Sequence, residues 1–193
     1  MGTRALCFCG DVAMADITRT RITLDEFKML PESMDHIELI DGELIMSPAP
    51  KYKHQKAVLN TAARLLQFPQ GTTVVSPMDV YLDENVLQPD VFWVSGDDSL
   101  CRLGDDGYWH GAPDLVVEVL SASTARRDHG VKFGLYEQHG TREYWLVDAE
   151  GEFVEVFHRD GARLARAGVY GTDESFALSL LPDVVIQVSA LFA

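Results

Sequence analysis

The stretch GAPDLVVEVLSAS, residues 111–123, contains the apolar run LVVEVL with a carboxylate, Glu118, in its middle. Side chains alternate along a strand, so Asp114, Val116, Glu118 and Leu120 share one face and Leu115, Val117 and Val119 the other. Burying an unpaired ionised carboxylate costs several kcal/mol, so Glu118 should be paired, hydrogen-bonded or bound to a metal. Asp114, on the same face, sits about 13 Å away at strand rise. That is too far to share one ion, and Asp114 reads as a residue that caps the strand.

A closer partner is offered by QPDVFWVS, residues 88–95, where Asp90 opens an apolar run. If the two strands pair, Asp90 and Glu118 lie side by side. Carboxylates that converge at a strand edge cannot all stay ionised without a cation, and an all-oxygen set suits Mg²⁺ or Mn²⁺. Such an ion activates water and stabilises the charge of a phosphodiester transition state.

Outward from these strands the elements fall in a regular order. TLDEFKMLPE carries a capping box, Thr23 with Glu26, and Pro31 stops that helix. HIELIDGELIMS alternates around Asp41-Gly42, a hairpin signal. KHQKAVLNTAARLLQF has helical spacing through Val58, Ala62, Leu65 and Leu66. GTTVVSPMDVYL, QPDVFWVS and PDLVVEVLS then read as three strands, with 96–112 a long loop between the last two. RDHGVKFGLYEQHG returns to helical spacing, with Gly140 where a C-terminal cap would fall, and REYWLVDAEGEFVEVFHRDG is a strand, a turn and a strand. LPDVVIQVSALF adds a final strand or short helix. The expectation is an α/β sandwich around a mixed sheet.

Composition bounds the rest. The chain has 193 residues, 47% of them hydrophobic, and a formal net charge of −14. Residues 1–20 lack periodicity and read as a loose tail ahead of a single domain over 21–193. No apolar run approaches a membrane span, and the opening is too short for a secretory signal, so the expected location is cytoplasmic, with no membrane partner. Cys7, Cys9 and Cys101 form no CxxC pair, which argues against a disulfide framework or zinc site. The negative charge argues against a surface coated for loose nucleic-acid binding, and leaves KYKHQK at 51–56 and ARRDHGVK at 125–132 as the local basic segments.

The blocks ELIDGELIMSPAP, QPDVFWVS, GAPDLVVEVLSAST, RRDHGVKFGLYEQHG and REYWLVD, in this order, resemble the Uma-two family of candidate endonucleases in the PD-(D/E)XK superfamily. The resemblance implies a restriction-endonuclease-like core, αβββαβ in order, a mixed sheet flanked by helices and preceded by an extra hairpin. It implies Mg²⁺, with Mn²⁺ as substitute, held by Asp90 and Glu118, with Glu43 a further acid at the metal, and DNA as substrate. The superfamily's lysine should stand two residues after Glu118, where this chain has Leu120; Lys132, on the following helix, is expected to take over its role of assisting the attacking water. His54, Gln55, Arg126 and Arg127 are the candidate substrate contacts, and a homodimer is expected by analogy, since cutting two strands wants two sites. Two other readings stay open: a degenerate nuclease fold kept as a binding or assembly module, and a metal-free hydrolase using paired carboxylates, for instance on sugars.

Overall fold

The computed structural model describes residues 21–31, 36–96, 98–121 and 128–193, with the side chain of Asp128 excepted. The expected tail, Cys7, Cys9, Arg126 and Arg127 lie outside the described residues.

A short helix α1 (Leu24–Lys28) starts at the capping box of Thr23 and Glu26. The hairpin β1 (Ile37–Ile40) and β2 (Glu43–Met46) turns at Asp41-Gly42, where φ is 51° and 77°. A two-residue turn with positive φ at both positions matches the right-handed twist of the strands, which is why this dipeptide signals it. The long helix α2 (Tyr52–Leu65) follows, then β3 (Gly71–Val75), β4 (Val80–Leu82), β5 (Asn85–Leu87) and β6 (Val91–Ser95). Two short strands, β7 (Arg102–Leu103) and β8 (Trp109–His110), precede β9 (Leu115–Leu120). One wide π-type turn, Asp128–Lys132, runs into α3 (Phe133–His139), which ends at Gly140 with φ 101°. The chain closes with β10 (Glu143–Asp148), β11 (Phe153–Asp160), β12 (Arg163–Gly171), β13 (Ser175–Ala177), β14 (Val185–Gln187) and α4 (Ser189–Phe192).

The second of two six-stranded sheets has the order β12-β11-β10-β9-β6-β3. Within it α2, β3, β6, β9, α3 and β10 give the αβββαβ core: β3, β6 and β9 are antiparallel neighbours, and β10 joins β9 in parallel. The other sheet, β2-β1-β5-β4-β8-β7, was not expected as a unit. GTTVVSPMDVYL is two strands, because the chain leaves one sheet after Val75 and enters the other at Val80, with Pro77, which lacks an N–H, between them. The segment 96–112 is likewise not all loop, since β7 and β8 extend the first sheet.

The alternation read along β9 holds on both sides. Leu115, Val117 and Val119 enter a core with Ala57, Ala62 and Leu65 of α2, Trp145 of β10 and Leu191 of α4. Val116 faces a second core built from Ile40, Val80 and Leu87 of the first sheet and Leu135 and Tyr136 of α3. β9 is therefore covered on both faces, and Glu118 has no route to bulk water along its strand. Tyr136 is core, as is Cys101, whose thiol burial pushes up to about 12. Asp114 caps the strand junction: its carboxylate accepts from the Ser95 N–H at 2.8 Å and the Ser95 hydroxyl at 2.9 Å.

Glu143, fully buried on β10, fastens the C-terminal segment to the sheet. Its carboxylate accepts from Trp145 Nε1–H at 2.7 Å, from the Ser179 N–H at 2.8 Å and from the Ser179 hydroxyl at 2.5 Å. Glu143→Ala leaves these donors buried without a partner and opens a void, and should cost about 3 kcal/mol in chemical denaturation at neutral pH. A loss under about 0.5 kcal/mol, the size of an ordinary surface substitution, would contradict this role.

Candidate active site

The pairing of β6 with β9 matches Val91 to Val117 and Phe92 to Val116. Continued by one step, the register sets Asp90 opposite Glu118. The Asp90 carboxylate lies at the end of β6, where its Oδ2 accepts from the Val119 N–H at 2.7 Å. His54, on the first turn of α2 and facing the sheet, brings Nε2 to 3.3 Å from the same oxygen. No described residue donates to Asp90 Oδ1. Gln55, one step round the helix, is exposed and points away from this contact.

Lys132 ends the π-type turn, and its ammonium is buried with Nζ 2.6 Å from Glu118 Oε1 and 3.0 Å from Glu38 Oε1. Glu38, Glu118 and Lys132 are 2%, 2% and 3% exposed. The positive charge that Glu118 needs in its apolar strand is thus supplied by the chain itself. Leu120 leaves the usual lysine position empty, and the ammonium arrives from the helix side.

Sequence reasoning missed Glu38. It sits inside the apolar strand IELI, the same signal that marks Glu118, but in an alternating hairpin strand a polar residue is ordinarily the solvent side. Because the first sheet is buried on both faces, Glu38 faces inward with Ile40, while Leu39 packs into a separate core on the other side. The Gln88 N–H donates to Glu38 Oε1 at 2.9 Å, and His36 Nε2 stands 3.6 Å from that oxygen. Burial by itself would raise the Glu38 carboxyl, but the Lys132 ammonium, His36 and the Gln88 N–H outweigh it and bring it down to about 2. Gln88 also donates from Nε2 to Asp79 at 2.7 Å, and burial holds the Asp79 carboxyl above its ordinary value.

Glu43 pairs with Ile40 in the hairpin, which puts it on the same face as Glu38 and diagonal to it. Its carboxylate is 4.0 Å from Arg21. The structure therefore brings Asp90, His54, Glu118 and Lys132 together, adds Glu38, sets Glu43 at the neighbouring end of the hairpin and leaves Gln55 outside.

A mixed sheet built in αβββαβ order with helices beside it defines the restriction-endonuclease-like class. The chain belongs to the Uma2 family, described as "Putative restriction endonuclease", whose model matches residues 24–189. It is 28% identical over 139 residues to the uncharacterized protein sll1609 of Synechocystis sp., covering 68% of this chain and 77% of that one. It is also similar to the crystal structure of "a putative nuclease belonging to DUF820 from Anabaena variabilis ATCC 29413", with a TM-score of 0.72, 21% identity, and 89% of this chain and 97% of that chain covered. That likeness supports the fold.

A pH titration of stability reads the Glu38 contact directly. Its folded-state value lies below the ordinary one of 4.5, so it contributes stability that is present above about 4.5 and lost as pH falls toward about 2. Urea unfolding should show wild type exceeding Glu38→Gln by about 3 kcal/mol at pH 6, the advantage shrinking toward zero near pH 2. A difference that stays constant across this range would mean the carboxylate is not held by Lys132.

Proposed function

We propose that this protein is a Mg²⁺-dependent endonuclease that hydrolyses DNA phosphodiester bonds, with Asp90 and Glu118 as metal ligands and Lys132 beside the attacking water. The observation that carries the reading is the charge of the cluster. Glu38 and Glu118 share one ammonium, the strand register sets Asp90 opposite Glu118, and Asp90 Oδ1 accepts from no described residue.

The donor set fits a hard divalent cation. Among the described residues no group of three or more His, Cys, Asp or Glu is placed to hold a metal ion. Mg²⁺ does not need one: it commonly takes one or two protein carboxylates and fills its remaining positions with water and substrate phosphate. Such an ion, when bound, supplies Lewis-acid stabilisation of the phosphate and a more acidic water.

The chain's own residues do the rest. The Val119 N–H and His54 engage Asp90 through Oδ2, which leaves Oδ1 for the cation. Glu38 and Glu118 hold the Lys132 ammonium from two sides. From there it donates to the attacking water and stabilises the negative charge that grows on the phosphate oxygens. Water oxygen bonds to phosphorus as the bond to the leaving sugar oxygen breaks, giving a phosphate end and a hydroxyl end. Glu43, at the near end of the hairpin, is the further acid we assign to the metal side, through water. Arg126 and Arg127, just ahead of the turn that carries Lys132, and exposed Gln55 are assigned to substrate phosphates. A homodimer would present one such site to each strand.

Plasmid nicking tests this. With Mg²⁺ or Mn²⁺ wild type should convert supercoiled plasmid to open circles, and EDTA should stop it. Asp90→Asn, Glu118→Gln and Lys132→Met should each lower the rate by about 10²-fold or more. Mn²⁺ should raise the melting temperature of wild type and not of Glu118→Gln, because only a native-state site links binding to stability. Glu118→Gln removes the carboxylate 2.6 Å from Lys132, so it should melt below wild type in EDTA, and the metal's effect is read as the shift each protein shows on adding Mn²⁺. Nicking by Glu118→Gln at the wild-type rate would sink the reading. A folded wild type that neither nicks nor binds metal would favour the degenerate module.

A further inference from the structure

Residues 44–78 contain no Asp or Glu, although the chain has 30 of them, and carry Lys51, Lys53, Lys56 and Arg64. On a protein of net charge −14 a polyanion meets repulsion over most of the surface. This segment is the exception, and the fold gathers it in one place: the approach to α2, α2 itself and β3, the edge strand of the second sheet.

The described cations divide into those with an ion-pair partner and those without. Arg21, Arg142 and Arg166 each stand within 4.0 Å of a carboxylate, and Lys53 is tied to Glu150 at 2.8 Å. Lys51, Lys56 and Arg64 have no ion-pair partner among the described residues. Between them the outer face of α2 shows apolar side chains to solvent, Tyr52 at 77% exposure and Leu59 at 68%. The inner face of the same first turn carries His54, 3.3 Å from Asp90. The N-terminal end of α2 is therefore the end of this acid-free segment that lies nearest the candidate active site.

We infer that the acid-free outer face of α2 is the surface on which DNA lies, with Lys51, Lys56 and Arg64 taking backbone phosphates and Tyr52 packing against a sugar or base beside the cleavage site. This deepens the nuclease reading and rests on it. Phosphate contacts release counterions and carry no sequence information, so the surface holds DNA in position without choosing a target. The exposed aromatic and aliphatic side chains suit the apolar faces of sugars and bases, which an acidic protein partner would not offer in register with phosphates.

The test is fluorescence anisotropy of a labelled 20-base-pair duplex in EDTA, across a salt series, with nicking measured in parallel in Mg²⁺. The triple variant Lys51→Gln/Lys56→Gln/Arg64→Gln should bind about tenfold or more weakly at low salt, and the slope of log K against log salt should fall by two to three. Its nicking should show a raised KM with kcat near wild type. Arg163→Gln, on β12, should match wild type in both assays, and melting temperatures verify that all variants are folded. If wild type binds and nicks while the triple variant matches it in affinity and slope, the surface assignment fails and the catalytic reading stands. If the triple variant loses binding while Glu118→Gln still nicks like wild type, the surface stands and the catalytic reading fails. If wild type ignores DNA but binds poly-glutamate through these same residues, DNA is the wrong ligand.

Discussion

The buried ammonium of Lys132, held between Glu118 of the second sheet and Glu38 of the first, is the constraint on which the site depends. Two carboxylates and a cation this far from solvent would be expensive singly, and removing one partner of such a set typically costs about 3–5 kcal/mol. The interaction also ties together elements that already share one apolar core. β1 comes from the N-terminal hairpin, β9 from the middle of the core, and Lys132 from the turn before α3. A well-packed apolar trio would hold them as firmly, so stability alone does not explain why charge is used here. The proposed chemistry gives a reason for charge at this point.

How much of this is legible in the sequence depends on which kind of signal each part leaves. The central strands are marked by their continuous apolar runs, the hairpin by Asp41-Gly42, and the end of α3 by Gly140. Each of these is local chemistry that forces local geometry. Asp90 and Glu118 stand out because a charge in an apolar strand is anomalous without any knowledge of its neighbours. Glu38 carries the same anomaly but sits in a short alternating strand, where a polar residue is ordinarily the solvent side. Only the placement of the first sheet over the second makes that side an interior. The splitting of 71–82 into two strands, and the short strands within 96–112, depend on the same long-range packing and leave little local mark.

Charge is distributed as sharply as hydrophobicity. Thirty acidic residues surround a segment with none, and that segment builds the helix whose first turn touches Asp90. Net charge read over the whole chain points away from nucleic acid, whereas its distribution along the chain points toward it. On the proposed reading, an acidic protein and a polyanionic substrate are reconciled in space, with repulsion elsewhere on the surface favouring DNA at the acid-free segment.

The central claim is that the carboxylates of Asp90 and Glu118 form a cation site completed by the position of Lys132. Anomalous diffraction from a crystal soaked in Mn²⁺ tests it most directly. The account predicts an anomalous peak bonded to Asp90 Oδ1 and to the Glu118 carboxylate, with Lys132 still in contact with Glu38, and no such peak in crystals of Glu118→Gln. A Mn²⁺ peak bound elsewhere, with Asp90 and Glu118 left without metal at millimolar concentration, would contradict it.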